Sequence, residues 1–329
     1  MTQFQALLLR NEPSFSAKVE TLPLSNLKNE GDVVVRVSWS GINYKDALAV
    51  TNTGKIIRGD FPFVPGIDLA GVVESSESPD FNRGDHVLST GWGLGENIWG
   101  GYSSLQRLKA SSLLKIPAGL SARDAMIVGT AGLTAMLAVL EIEKGPLGKS
   151  GPYLVTGATG GVGSFAVMAL ANAGYDVVAA TGKADSHAYL RSLGASEIVE
   201  RATLSAGAKH SLDKARWSGC VDSVGSTTLE SVISTTARHG TIAACGLAGG
   251  AELSTTVYPF ILRGVRLIGI DSNTCPNEVR LVAWNRLALL AKAKDFSSLA
   301  TEVALHEIPE ASMRLMKGQV SGRIVVRID

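Results

Sequence analysis

Val155-Thr156-Gly157-Ala158-Thr159-Gly160-Gly161-Val162-Gly163-Ser164 decides how this chain folds. The apolar run Tyr153-Leu154-Val155 enters it as a buried strand does, and small residues from Phe165 to Ala173 leave it as a helix. Strand, glycine turn and helix start together form a seat for a pyrophosphate. Side chains must be absent there, so that backbone N–H groups and the positive helix end can touch the anion. The spacing reads Ala158-x-Gly160-x-x-Gly163, with Ala158 where the first glycine of a dinucleotide fingerprint stands. A turn of this kind also occurs in proteins that bind no nucleotide, so the surrounding pattern decides.

That pattern alternates. Strand-like runs lie at 153–158, 176–181, 197–199, 220–224, 241–246 and 266–270, and helical patterns lie at 164–173, 187–193, 204–215 and 228–236. Such alternation predicts an α/β domain with a doubly wound parallel sheet. Residues 1–124 read differently, with short alternating runs at 32–39, 69–74, 86–88 and 105–108 punctuated by Gly and Pro. They predict a mostly antiparallel β domain. The tail ends in strand residues at 322–328 without a partner in the parallel sheet. It is expected to return to the first domain through a helix at 277–294. The expected domains are therefore 1–124, a dinucleotide-binding 125–272 and a returning 273–329, with a hinged cleft between the first two.

Composition narrows the class. Hydrophobic residues make up 45% of the 329 and charged residues 19%, a globular balance with room for two cores. A formal net charge of +1, with no basic run, argues against nucleic-acid or membrane-surface partners. No apolar stretch is expected to span a membrane, and the start, Met1-Thr2-Gln3-Phe4-Gln5-Ala6, is no signal peptide. Cys220, Cys245 and Cys275 are an odd, widely spaced set that reads as buried thiols in a reducing cytoplasm.

The second strand ends Ala179-Ala180-Thr181-Gly182-Lys183, without the carboxylate that binds a ribose 2′-OH. A hydroxyl and a cation suit a 2′-phosphate, so Thr181 and Lys183 point to NADPH. Asp185 lies close enough to dilute the preference, and a solvated surface lysine is the alternative. Thr159, Gly160, Gly161 and Val162 are expected to cradle the pyrophosphate.

Further segments carry a resemblance. Gly41-Ile42-Asn43-Tyr44-Lys45-Asp46 and Pro65-Gly66-Ile67-Asp68-Leu69-Ala70-Gly71 stand where zinc-dependent medium-chain dehydrogenases place ligands, yet neither offers Cys or His. Three cysteines cannot build a four-cysteine structural zinc lobe. The chain resembles the zinc-free quinone oxidoreductase branch of the medium-chain dehydrogenase/reductase superfamily. The segments 43–49, 90–101, 243–250, 259–267 and 269–272 are similar to the NADPH-dependent acryloyl-CoA reductases, and the tryptophan-rich 92–101 loop is the most specific of them. The resemblance implies a GroES-like first domain, a Rossmann second domain and a homodimer that pairs through the last Rossmann strand. The 257–261 run and the 266–270 strand would contribute to that contact.

The implied reaction moves a hydride from NADPH to the β carbon of an acryloyl thioester, without metal. Tyr44 and Asn43 are the catalytic candidates, because a phenol can stack on the nicotinamide and donate a hydrogen bond, and an amide can position the cofactor or the thioester. The alternatives are aromatic packing for Tyr44 and a local turn for Asn43. Asp46 and Asp68 read as loop anchors rather than acids. The resemblance adds Leu247 and Ser272 on the nicotinamide side, with Ile261 and Arg323 as further cofactor contacts. Lys55 and Arg58 are candidates for the phosphates of an acyl-CoA substrate, against a merely solvated loop. Two other functions stay open: a broader NADPH-dependent quinone or enone reductase, and an NADPH-binding protein without turnover.

Overall fold

The computed structural model describes residues 2–27 and 30–328. Two compact units emerge, one built from 1–130 and 291–329 and the other from 131–290. The boundaries thus fall at 130/131 and 290/291, where the sequence reading placed them at 124/125 and 272/273.

The first unit opens with an antiparallel pair, β1 (Gln3–Arg10) and β2 (Ser16–Pro23). Next come β3 (Val33–Ile42), the short helix α1 (Tyr44–Val50), β4 (Asp68–Ser76), β5 (His86–Thr90), β6 (Leu105–Leu108) and β7 (Leu114–Lys115). In β3 the side chains of Val33, Val35 and Val37 point into the core, while Val34, Arg36 and Ser38 are less buried. That period of two is the signature of a sheet with one wet face. Leu69, Val73, Val87, Leu105 and Leu108 pack against these valines.

Helix α2 (Ala122–Glu143) then crosses into the second unit. Its length and mean hydropathy of 1.9 would suffice for a membrane span, which corrects the expectation that no such stretch exists. Its apolar window is 83% buried, so the hydrophobicity is that of a core helix. Gly129 breaks its helical geometry with φ +48° and ψ −157°.

The second unit alternates β8 (Pro152–Val155), α3 (Gly161–Asn172), β9 (Asp176–Thr181), α4 (His187–Leu193), β10 (Glu197–Glu200), the single turn α5 (Ala202–Ser205), β11 (Trp217–Asp222), α6 (Ser226–Thr235) and β12 (Thr236–Ala244). Helix α7 (Tyr258–Arg263), β13 (Arg266–Gly269) and α8 (Asn277–Ala293) follow. The strands form one parallel sheet in the order β10-β9-β8-β11-β12-β13. The chain runs outward from β8 in one direction and then crosses back to run outward in the other. The topological switch lies between β8 and β11, where such sheets bind nucleotides.

The expected helix at 204–215 shrinks to Ala202–Ser205, because Gly207 adopts φ +82° and the polar residues after it offer no apolar stripe. The 257–261 run belongs to a helix, with Pro259 in its first turn and Gly264 closing it at φ +61°.

The tail adds two strands to the first unit's sheet. After α8 come β14 (Ala300–Ala304), α9 (Ile308–Met316) and β15 (Arg323–Arg327). β15 pairs antiparallel with β3, setting Ile324 opposite Ile42, and parallel with β14. The first unit's large sheet therefore runs β14-β15-β3-β4-β5-β7, with β6 also on β3.

Candidate active site and dinucleotide site

The second unit presents the glycine turn as a seat for an anion. Gly157 holds φ +58°, and a Cβ there would lie 2.4 Å from Ser223 Oγ. A Cβ on Gly163 would lie 2.3 Å from the Gly157 carbonyl oxygen and 2.6 Å from Ala158 Cα, so this glycine lets α3 pack down on the turn. Gly160 differs from both. It is exposed, with φ −78° and ψ 173°, and a Cβ would meet only the Gly157 oxygen, at 3.3 Å. The space at Gly160 opens at the N-terminus of α3, whose first-turn N–H groups have no carbonyl partner in the helix. A pyrophosphate fits this cradle. Replacing Gly160 by Ala should leave the thermal midpoint within about 2 °C, while weakening NADPH by about tenfold or more in a binding titration. Gly163→Ala should lower both, because it pushes backbone against backbone.

At the tip of β9, Thr181 is 4% exposed and its Oγ1 accepts the Lys183 N–H at 3.0 Å. The pair is joined by a residue the sequence reading missed. Arg201 follows β10, its N–H donates to the Thr181 carbonyl at 2.9 Å, and its guanidinium carbon lies 3.3 Å from where a Gly182 Cβ would be. Burial, and then the charge of Arg201, pull the Lys183 ammonium below its usual pKa. Two cations held together in this way fit a dianionic 2′-phosphate. Its only sequence signal is a basic residue one position after the third strand.

Leu247 and Ile261 are exposed at 62% and 68%. Ser272 Oγ accepts a hydrogen bond from Thr134 Oγ1 at 2.7 Å. Cys220 is buried, and burial raises both its thiol and that of Cys245, the latter to about 12. These thiols are not poised as nucleophiles.

The first unit holds a different device. Asn43 caps α1 and its N–H donates to Asp46 Oδ2 at 2.9 Å. Its side-chain Nδ2 donates to Asp46 Oδ2 at 3.1 Å and to Asp68 Oδ2 at 2.8 Å. Its Oδ1 accepts from Arg323 Nη1 at 3.0 Å. Both ends of the amide are committed, which directs Asn43 to holding the helix start and away from a substrate oxygen. Asp46 also accepts the Ile67 N–H at 2.9 Å, and Asp68 accepts Thr130 N at 2.9 Å and Thr130 Oγ1 at 2.6 Å. Arg323 lies 3.7 Å from Asp68 and donates to the Ile127 carbonyl at 2.9 Å. At 3% exposure its guanidinium is bound up in this network rather than presented to a ligand. A Cβ on Gly129 would lie 2.5 Å from Asp68 Oδ2, so the break in α2 makes room for the cluster.

Two carboxylates and one guanidinium cannot balance when both acids are ionised. Burial, then the charge of Asp68, raise Asp46 to about 7. Tyr102, 0% exposed, donates its hydroxyl to the Gly41 carbonyl at 3.1 Å. Tyr44 occupies the first position of α1 and is 49% exposed. The next residue, Lys45, pairs with Glu96 at 2.8 Å and so ties α1 to the tryptophan loop. The Glu96 carbonyl accepts the Arg58 N–H at 2.8 Å, which docks the 54–60 segment on the same loop. Lys55 and Arg58 are exposed.

A zinc ion does not suit this donor set. Every acidic oxygen in the cluster already accepts N–H or O–H donors, and a guanidinium occupies the space beside them. Among the described residues no group of three His, Cys, Asp or Glu is placed to hold a metal.

Known proteins are similar to this chain over its whole length. Residues 29–118 match the alcohol dehydrogenase GroES-like domain, and residues 161–288 match the family described as zinc-binding dehydrogenase. The chain is 48% identical over 327 residues to the Probable acrylyl-CoA reductase AcuI of Escherichia coli K12, covering 99% of this chain and 100% of the relative. The yhdH oxidoreductase of Salmonella enterica, solved in complex with NADP, superposes with a TM-score of 0.95 at 47% identity, over 99% of this chain and 100% of that one. Bacillus subtilis yhfP, solved with NAD bound, also gives 0.95, at 42% identity over 99% of this chain and 100% of that one. The Thr181, Lys183 and Arg201 cluster sides with the phosphorylated cofactor, and NADPH is the cofactor of this oxidoreductase. With its GroES-like and Rossmann units, its returning tail and its full-length relatives, the chain belongs to the medium-chain dehydrogenase/reductase superfamily.

Proposed function

We propose that this enzyme reduces the activated C=C bond of acryloyl-CoA to propionyl-CoA, with hydride added at the β carbon. The observation that carries the reading is Tyr44, half-exposed on a helix start that a closed, metal-unsuited cluster holds in place. Full-length similarity to a protein named for acrylyl-CoA reduction supports the substrate.

Bound NADPH supplies the hydride from nicotinamide C4. The turn at Thr159, Gly160, Gly161 and Val162 would hold its pyrophosphate, and Thr181, Lys183 and Arg201 its 2′-phosphate. Leu247, Ile261 and Ser272 would line the nicotinamide side. The Tyr44 hydroxyl donates to the thioester oxygen as negative charge develops there, and a donor fixed in advance costs no reorganisation during the reaction. Asn43 and Arg323 act at one remove, by fixing the helix start that carries Tyr44. Lys55 and Arg58 offer charge to the CoA phosphates from the segment docked on the Glu96 loop. Water delivers the α-carbon proton.

NADPH oxidation on adding acryloyl-CoA tests the reading, with a simple quinone and crotonyl-CoA as comparison substrates. A faster quinone rate would favour the broader quinone or enone reductase, and no turnover with any of the three would leave a binding protein. Tyr44→Phe should lower kcat about a hundredfold and leave the NADPH dissociation constant within about threefold. Wild-type turnover in that variant would remove the hydroxyl from the mechanism.

A homodimer and a cytoplasmic location complete the proposal. β13 is an edge strand, beside a groove of about 680 Å³ lined by Leu137, Ile268, Val279 and Val282. The groove lies at the sheet edge, and none of its lining residues belongs to the glycine turn. An unprotected edge flanked by apolar side chains suits pairing with a second copy. Free thiols at all three cysteines suit a reducing compartment.

A further inference from the structure

The sequence Asp222-Ser223-Val224-Gly225 ends β11 at the switch between β8 and its neighbour, and it touches both flanks of the nucleotide site. Asp222 is 0% exposed, and Thr156, the residue before the glycine turn, is 1% exposed. Thr156 Oγ1 donates to Asp222 Oδ1 at 2.6 Å, and Gly225 N donates to Asp222 Oδ2 at 2.9 Å. Ser223 returns two bonds to the same threonine: its N–H donates to Thr156 Oγ1 at 3.1 Å and its Oγ donates to the Thr156 carbonyl at 3.1 Å. Ser223 Oγ also stands where a Gly157 Cβ would be, so it shapes the first residue of the turn.

The same four residues grip the other flank. The Asp222 carbonyl accepts the Cys245 N–H at 2.8 Å, and the Val224 carbonyl accepts the Gly249 N–H at 2.8 Å. Gly225 forms a bridge with Gly250. A buried carboxylate held by a hydroxyl and backbone N–H groups is a costly way to join two loops, since an apolar pair would bury more cheaply. What it provides is direction: Oδ1 accepts from Thr156 before the turn, and Oδ2 accepts from Gly225 of its own loop.

We infer that Thr156 and Ser223, locked by Asp222, are positioning residues that hold the pyrophosphate turn in register with the 245–250 segment for NADPH. Their hydrogen bonds run between the start of the turn and the end of β11. Thr156→Val is nearly isosteric and removes one hydroxyl. Titrated into the free protein and followed by fluorescence, NADPH should bind about tenfold more weakly to this variant. In competition, 2′-AMP carries the adenosine and its 2′-phosphate but no pyrophosphate, and it should bind within about twofold of wild type. Thr156→Ser keeps the hydroxyl and should restore NADPH binding to within about twofold.

A general loosening of the sheet would weaken 2′-AMP as well, and that result would overturn the inference. So would wild-type NADPH affinity in Thr156→Val. Ser223→Ala spares the buried pair and removes only the bond to the Thr156 carbonyl. It should weaken NADPH about threefold with 2′-AMP unchanged, and it decides the question if the valine variant does not fold. Equal affinity for NADPH in Ser223→Ala and wild type would then refute the positioning role.

Discussion

Lys183→Glu is expected to weaken NADPH binding by about a hundredfold, while NADH changes by less than about threefold. Three contributions set the size. The variant loses a charge-assisted bond of about 1.5–3 kcal/mol to the 2′-phosphate. It places a carboxylate where a dianion must sit. That carboxylate also lies beside Arg201, whose charge already depresses the Lys183 ammonium, and it would neutralise the second cation as well. The change is confined to the tip of β9, so the turn at 157–163 should hold an unphosphorylated cofactor as before. Fluorescence titration with each cofactor measures the two constants. Equal losses for NADPH and NADH would mean that the substitution damages the fold, and no loss for NADPH would place the 2′-phosphate elsewhere. Arg201→Ala should give the same selectivity in milder form, about tenfold on NADPH alone.

That contrast shows what could be seen in the sequence. Thr181 and Lys183 are legible because the turn, the second strand and its tip follow one another along the chain. Arg201 is not, because its role depends on parallel pairing of Glu200 with Thr181, which only the folded sheet provides. The six parallel strands are readable from short apolar runs that alternate with helical patterns. The 122–143 helix was not: its hydrophobic residues run all round, which erases the helical period, and glycines interrupt it. The first unit's cluster was half visible. Asn43, Asp46 and Asp68 are conspicuous polar residues in apolar surroundings, and the Asn43–Asp46 bond is local, while the bond from Asn43 to Asp68 spans 25 residues. Their counter-charge comes from Arg323, brought back by the strand that pairs with β3. No local pattern announces a partner so far away along the chain.

Arg323→Met should therefore destabilise the first unit by about 3–5 kcal/mol, the usual cost of leaving buried carboxylates without their cation. The loss should also depend on pH. The folded-state pKa of Asp46 is about 7, above an unfolded value near 4. The folded protein thus binds this proton more tightly than the unfolded chain. Stability from this group is full below about pH 4 and is lost as pH rises to and through about 7. In the wild-type protein the denaturation midpoint should fall between pH 5 and pH 8 for this reason. Asp46→Asn should flatten that slope, although it faces N–H donors on both oxygens and so begins from a less stable fold. Removing the Arg323 charge takes away a cation that favours ionised Asp46, and burial beside Asp68 then holds its proton to still higher pH. The variant should consequently lose more stability at pH 8 than at pH 5. Chemical denaturation at both pH values, in wild type and both variants, measures these differences. A loss in Arg323→Met that is the same at pH 5 and pH 8 would show that the guanidinium acts by packing alone, and the link between the returning tail and the charge beneath Tyr44 would fail.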